Sequence, residues 1–164
     1  MVDREVDVKV CVLTGAYARP SRTHEAALLV ARAVAPEGQI DEIVLSDHAA
    51  GLLDTFADPH VAALRERVRA ADLLIVGSPT MKASYSGLLK LFLDGFGAGG
   101  LDGLEAIALM TGAALEHALA VEYQLRPVLS EIGCRLPAPG LYLAGERLER
   151  ADETIAAWVA AWGG

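Results

Sequence analysis

Short runs of apolar, largely β-branched residues alternate with longer segments of helical period along nearly the whole chain, and this alternation constrains the fold more than any other feature. Val8 to Leu13 reads as a strand ending at Thr14-Gly15, and Ile40 to Leu45 as a second. Asp72 to Gly77 is a third, apolar at consecutive positions as a strand buried on both faces should be. Ala106 to Met110 is a fourth strand and Leu141 to Leu143 a short fifth. Between them, Thr23 to Ala35 puts Ala27, Leu28, Ala31 and Val34 on one helical face, with Pro36 following. Pro59 to Ala71 starts on a proline suited to a first helical turn and carries Val61, Leu64 and Val68 as its apolar face. Ser86 to Phe96 reads as helical, before a glycine-rich turn over 97–103. Ala114 to Ile132 reads as one long helix, Glu149 to Trp162 as a closing amphipathic helix, and Ser46 to Asp58 as an irregular loop over the sheet edge.

Strict β-α alternation demands a parallel sheet with helices on both faces. Five strands suit an α/β three-layer sandwich of flavodoxin-like order 2-1-3-4-5, in which ligands sit beyond the carboxyl ends of the strands near the switch between strands 1 and 3. A length of 164 residues suits one domain spanning 1–164. Hydrophobic residues at 53% exclude a disordered chain. Fourteen Lys and Arg against 22 Asp and Glu leave a net charge of −8, an acidic surface that repels phosphate backbones and argues against a nucleic-acid partner. No apolar run approaches the roughly 20 residues of a membrane span. The N-terminal MVDREVDVKV lacks the apolar stretch of a signal peptide. Cys11 and Cys134 form no CxxC pair and lie in apolar segments, which reads as two buried free thiols and fits a cytoplasmic location.

This topology directs function to the loops after strands 1, 3 and 4: Gly15 to Thr23, Ser78 to Ser86, and Thr111 to Ala114. The first carries Arg19, Ser21, Arg22 and Thr23 just before a helix start, where unpaired N–H groups and the helix dipole favour an anion such as phosphate. An ordinary N-cap, with Ser21 or Thr23 capping and the arginines solvated, accounts for the same residues. GxGxxG and GxxxxGK[ST] are both absent, so no dinucleotide or nucleoside-triphosphate fingerprint is present. The second loop is longer and more polar than its connection requires. Pro79 stiffens the strand exit, the amides of Thr80, Met81, Lys82 and Ala83 suit the edge of a planar heterocycle, and Lys82 opposes negative charge building there. A plain turn followed by a capping serine is the structural alternative.

Ser78 to Asp94, Ser-Pro-Thr-Met-Lys-Ala-Ser-Tyr-Ser-Gly-Leu-Leu-Lys-Leu-Phe-Leu-Asp, resembles the flavin-loop signature of the NADPH-dependent FMN reductases. Thr111-Gly112-Ala113 through His117, with Leu119 to Leu129, resembles the alkanesulfonate-system subgroup of that family, and the similarity runs from Gly15 to about Gly133. The resemblance implies FMN with its phosphate in the first loop (Gly15, Arg19, Ser21, Arg22, Thr23) and its ring between the second (Pro79, Thr80, Met81, Lys82, Ala83) and the third (Thr111, Gly112, Ala113). It further implies NADPH or NADH as hydride donor, reduced FMN leaving for a flavin-dependent monooxygenase, and a homodimer or homotetramer. Each of the three loops departs from the family pattern. Ala16 and Ala18 replace the serine and arginine of Gly-Ser-x-Arg, Met81 replaces a tyrosine, and Ala113 replaces the second glycine of the third loop. Hydride transfer to a flavin needs no protein acid or base, so no catalytic residue is assigned, and Lys82 is the electrostatic candidate.

Pro127 interrupts the long helical segment, since it cannot donate to the carbonyl of Tyr123 and its ring crowds that carbonyl; a kink or wide turn is expected there. The resembled subgroup has a π-helix with a tyrosine at this place, at a tetramer interface. A kink serving packing alone is the alternative. His24, His48, His60 and His117 show no metal-ligand spacing, and His117 alone matches a family position near the flavin. The reading from a different class is a flavodoxin-fold protein that binds flavin weakly or not at all and works by electron transfer or assembly.

Overall fold

A computed structural model describes residues 8–162; Met1 to Asp7, which hold most of the stretch read for a leader, lie outside them. Strands β1 (Lys9–Thr14), β2 (Gln39–Val44), β3 (Leu73–Pro79), β4 (Glu105–Gly112) and β5 (Leu141–Ala144) form one parallel sheet of order β2-β1-β3-β4-β5. This is the flavodoxin-like order expected from the alternation. Register is continuous across the middle, with Leu13 opposite Val76 and Val76 opposite Ala108. Side chains alternate between the faces and build a core on each. On one face Leu13, Leu74, Val76, Ala108 and Met110 pack with α3 (Pro59–Arg69), α4 (Gly87–Leu93) and α5 (Arg126–Glu131), contributing Leu64, Leu89, Phe92 and Leu129. On the other, Val10, Val12, Ile75, Ile107 and Leu109 meet α1 (Arg22–Val34) and α7 (Ala151–Trp162). The face of α1 is alanine-rich (Ala26, Ala27, Ala31), so the helix lies close on the sheet, and a side chain at Gly77 would press on Ala27 at 3.3 Å.

Three expectations are corrected. The segment over 46–58 is not simply a loop: a 3-10 turn, Leu45–His48, runs into the one-turn helix α2, Ala49–Leu52, because Leu45 and Leu52 both bury fully in the core. The long helix over 114–132 is broken into a 3-10 turn at Leu115–His117, a π-helical turn at Val121–Leu125, and α5. The wide turn lies just before Pro127, with the Arg126 amide reaching the Val121 carbonyl five residues back, so the proline falls in the first turn of the next helix, where its missing N–H costs little. The closing helix α7 starts at Ala151 rather than Glu149, behind a separate short helix α6 (Glu146–Glu149), and the Thr154 hydroxyl donates to the carbonyls of Arg147 and Arg150 at the junction.

Cys11 and Cys134 are buried free thiols, as the sequence suggested. Burial pushes the Cys11 thiol from 9.0 up to about 12, with Asp41 adding to the shift, and burial alone takes Cys134 to about 11. The folded state thus favours the neutral thiols, whereas unfolded thiols ionise above pH 9. Their contribution to stability is full below about pH 9 and is lost as pH rises toward 12. Urea unfolding across that range should show a steeper decline for the native protein than for Cys11→Ala, and both thiols should resist alkylation at neutral pH until the chain unfolds.

Candidate functional site

The carboxyl ends of β1, β3 and β4 converge, and hydrogen bonds between distant segments tie their loops together. The Gly15 amide donates to the Gly77 carbonyl at 2.9 Å, and the Thr80 amide to the Thr111 carbonyl at 2.7 Å. Thr23 and Thr111, both buried, share a hydroxyl–hydroxyl bond of 2.6 Å. The Gly87 amide, at the start of α4, donates to the Tyr17 hydroxyl at 3.1 Å. All three loops singled out from the sequence therefore meet at one edge of the sheet.

In the first loop Ser21 is the N-cap of α1, its hydroxyl accepting from the His24 amide at 3.2 Å. Thr23 serves as a tie to β4 rather than as a cap. Arg22 stands exposed in the first turn and makes no ion pair among the described residues, and the amides of Arg22 and Thr23 have no protein partner there. Arg19 is turned to Asp47, with Nε and Nη2 each 3.0 Å from Oδ2. Gly15 owes its identity to packing: a Cβ would lie 2.5 Å from Ser86 Oγ and 2.7 Å from Leu89 Cβ. Behind the loop, His24 is 6% exposed, its Nδ1 2.9 Å from Thr14 Oγ1 and its Nε2 2.7 Å from Glu42 Oε2, a structural role that ties α1 to β1 and β2.

The second loop turns sharply. Met81 and Ser84 exchange two backbone hydrogen bonds of 2.7 and 3.1 Å around Lys82 and Ala83, both at positive φ (51° and 63°). Those φ signs belong to a two-residue type I′ turn, normally built from Asn or Gly. The turn exposes Met81, Lys82 and Ala83 and leaves the Lys82 and Ala83 amides without a partner among the described residues. Ser78 braces the loop from below, its hydroxyl accepting from the Ser86 amide at 2.8 Å while Ser86 caps α4. Lys82, like Arg22, is in no ion pair among the described residues.

In the third loop Thr111 is buried, Gly112 closes β4, and Ala113 and Ala114 are exposed. A Cβ on Gly112 would fall 2.0 Å from the Tyr142 hydroxyl. Sequence reasoning did not single out Tyr142, although a tyrosine among the aliphatic residues of a buried strand must find a partner for its hydroxyl. Tyr17 was missed as well, because its partner is the backbone of Gly87, far along the chain. His117 is exposed, and no group of three or more metal-ligating side chains occurs among the described residues.

Among the described residues the site offers two unpaired cations, two pairs of unpartnered amides and exposed loop edges around a buried set of ties. That suits a ligand with an anionic end at α1 and a flat polar body against the second and third loops.

The family model for NADPH-dependent FMN reductase matches residues 8–149. An FMN reductase (NADPH) of Pseudomonas putida is 36% identical over 99 residues, a match that covers 60% of this chain and half the length of that relative. An FMN reductase (NADPH) of Pseudomonas aeruginosa is 37% identical over 131 residues, covering 74% of this chain and 69% of the relative. The NADH-dependent FMN reductase SfnF of Pseudomonas putida is 28% identical, covering 92% of each chain. Among solved structures, the apo form of an NADH:FMN oxidoreductase (EMOB) superimposes with a TM-score of 0.77 at 28% identity, covering 94% of this chain and 90% of that one. An archaeal flavodoxin, at 13% identity and a TM-score of 0.60, shares the fold.

The left-handed backbone at Ala83 generates a direct expectation. A side chain at positive φ costs about 1 kcal/mol that glycine avoids. Ala83→Gly should therefore raise the thermal midpoint by a few degrees, as read by circular dichroism.

Proposed function

The chain belongs to the NADPH-dependent FMN reductase family, and we propose that it transfers a hydride from NADH or NADPH to FMN and releases the reduced flavin to a flavin-dependent monooxygenase. The observation that carries this reading is the convergence of the three loops on one sheet edge, where Arg22 and Lys82 and the amides of Arg22, Thr23, Lys82 and Ala83 have no partner among the described residues. Those donors fit FMN. The amides of Arg22 and Thr23 and the Arg22 guanidinium suit the phosphate, with Gly15 and Ser21 shaping the loop. Arg19 joins them by exchanging Asp47 for the ligand. Pro79, Thr80, Met81, Lys82 and Ala83 on one side and Thr111, Gly112 and Ala113 on the other suit the ring. When bound, FMN would supply the redox chemistry, accepting a hydride from NAD(P)H, which leaves as NAD(P)+, and a second proton from solvent. The protein's part is to orient the ring, to exclude water from its edge and, through Lys82, to stabilise negative charge on it.

The working unit is a single domain over 1–164, cytoplasmic and assembled as a homodimer or homotetramer. Leu115, Leu119 and Tyr123 are 56%, 66% and 71% exposed, large apolar side chains close together in sequence, which supports a contact with a second copy. Tyr123 sits at the centre of the π-helical turn, which turns it outward.

Arg22→Ala should weaken FMN by about 1.5–3 kcal/mol and leave riboflavin, which has no phosphate, almost unaffected in a fluorescence titration. Equal affinities of the native protein for FMN and riboflavin would sink the phosphate assignment. With Ala16 and Ala113 in place of the family's serine and glycine, FMN behaves as an exchangeable substrate. Protein purified with little flavin should oxidise NAD(P)H once FMN is added. Absence of FMN-dependent oxidation would return the chain to an electron-transfer or assembly role. Leu119→Glu should lower the mass seen by light scattering, whereas a monomeric native protein at micromolar concentration would refute the assembly reading.

A further inference from the structure

Tyr142 stands on the edge strand β5 between Leu141 and Leu143 and is 4% exposed. Its hydroxyl accepts from Thr80 Oγ1 at 3.3 Å and donates to the Ala114 carbonyl at 3.1 Å. Thr80 opens the connection from β3 to α4, and Ala114 lies in the connection leaving β4. The hydroxyl therefore bridges the two loops between which a flat ligand would lie. It also occupies the space that a side chain on Gly112 would take, 2.0 Å from the built Cβ position, with the ring's Cζ at 2.9 Å. Glycine at 112 and tyrosine at 142 are thus a matched pair, one leaving room that the other fills. Packing does not demand the oxygen, since a phenylalanine ring would bury the same apolar surface. What the oxygen adds is a fixed link between two loops that are otherwise joined through the Thr80 amide and the Thr111 carbonyl.

We propose that Tyr142 is a positioning residue: its hydroxyl fixes the spacing between the 80–84 turn and the 112–114 segment, and thereby the width of the slot for the flavin ring. The role of that slot rests on the FMN reductase reading, while the tie itself is a property of the free protein.

Tyr142→Phe removes the hydroxyl and keeps the ring. It should weaken FMN and riboflavin by the same factor, about three- to tenfold for one hydrogen bond, so the FMN-to-riboflavin ratio stays at its native value. The KM for FMN should rise by that factor with kcat retained, and the thermal midpoint should move by no more than about 4 °C. In flavin-free protein, amide exchange should quicken at Thr80, Met81 and Ser84, whose amides are hydrogen-bonded in and beside the turn. Thr80→Val removes the donor from the other side and should reproduce part of the loss, and the double variant should be no worse than Tyr142→Phe alone. It also decides the matter should Tyr142→Phe not fold. Unchanged affinity and exchange in Tyr142→Phe, losses that simply add in the double variant, or a loss confined to FMN would each overturn the proposal. If the native protein binds neither flavin, the reductase reading falls, and the exchange comparison alone decides the tie.

Discussion

Because β1, β3 and β4 are covered on both faces, their side chains are committed to packing, and polar groups from different loops can meet only beyond the strand ends. The end of β4 is where this constraint concentrates. Thr111 accepts the Thr80 amide with its carbonyl and pairs with Thr23 through its hydroxyl, so one buried residue joins the helix start after β1 to the loop after β3. Each of these bonds contributes about 1 kcal/mol and, being buried, costs more than that when left unmade. The loops of the candidate site are therefore part of the core's hydrogen-bond accounting rather than appendages to it.

Two glycines show how such a site is built. Gly15 and Gly112 both stand in segments where a flavin is expected, and close approach of a ligand is the usual reason for glycine there. In this chain protein atoms account for both: Ser86 and Leu89 crowd Gly15, and the Tyr142 hydroxyl crowds Gly112. The turn that does need a left-handed backbone carries Lys82 and Ala83 instead. Strain sits at the exposed turn, where side chains face a ligand, and the glycines sit where helices and strands must close.

The sheet was legible in the sequence because consecutive apolar positions leave no other reading for Leu73 to Val76, and the loops were legible because topology says where strand ends must lie. The ties were not. Thr23 read as a possible cap because its partner, Thr111, is remote in sequence, and Tyr142 read as one more apolar residue of a short strand. Leu52 was hidden in a loop and Leu45 read as the end of the second strand because polar and small residues separate the two, and burial in the core is what organises that segment into short helices. Pro127 announced an irregularity correctly but not its position. The chain widens the turn before the proline, which preserves hydrogen bonding for the Val121 carbonyl and lets α5 begin cleanly.

Charge distribution carries the remaining argument. A net charge of −8 repels an anionic ligand at long range, yet among the described residues seven cations are already paired with carboxylates: Arg19, Arg67, Arg69, Lys90, Arg126, Arg135 and Arg150. Exposed pairs of this kind add little stability, so their effect is chiefly to cancel charge locally. Arg22 and Lys82 escape that cancellation, and Arg22 lies where the dipole of α1 also points positive. At physiological ionic strength fields fade over about 8 Å, so the local balance decides how an anion fares at the start of α1: Arg22 and the first-turn amides favour it, while Glu25 in the same turn and Glu149 and Asp152, which line a surface hollow with Arg22, oppose it.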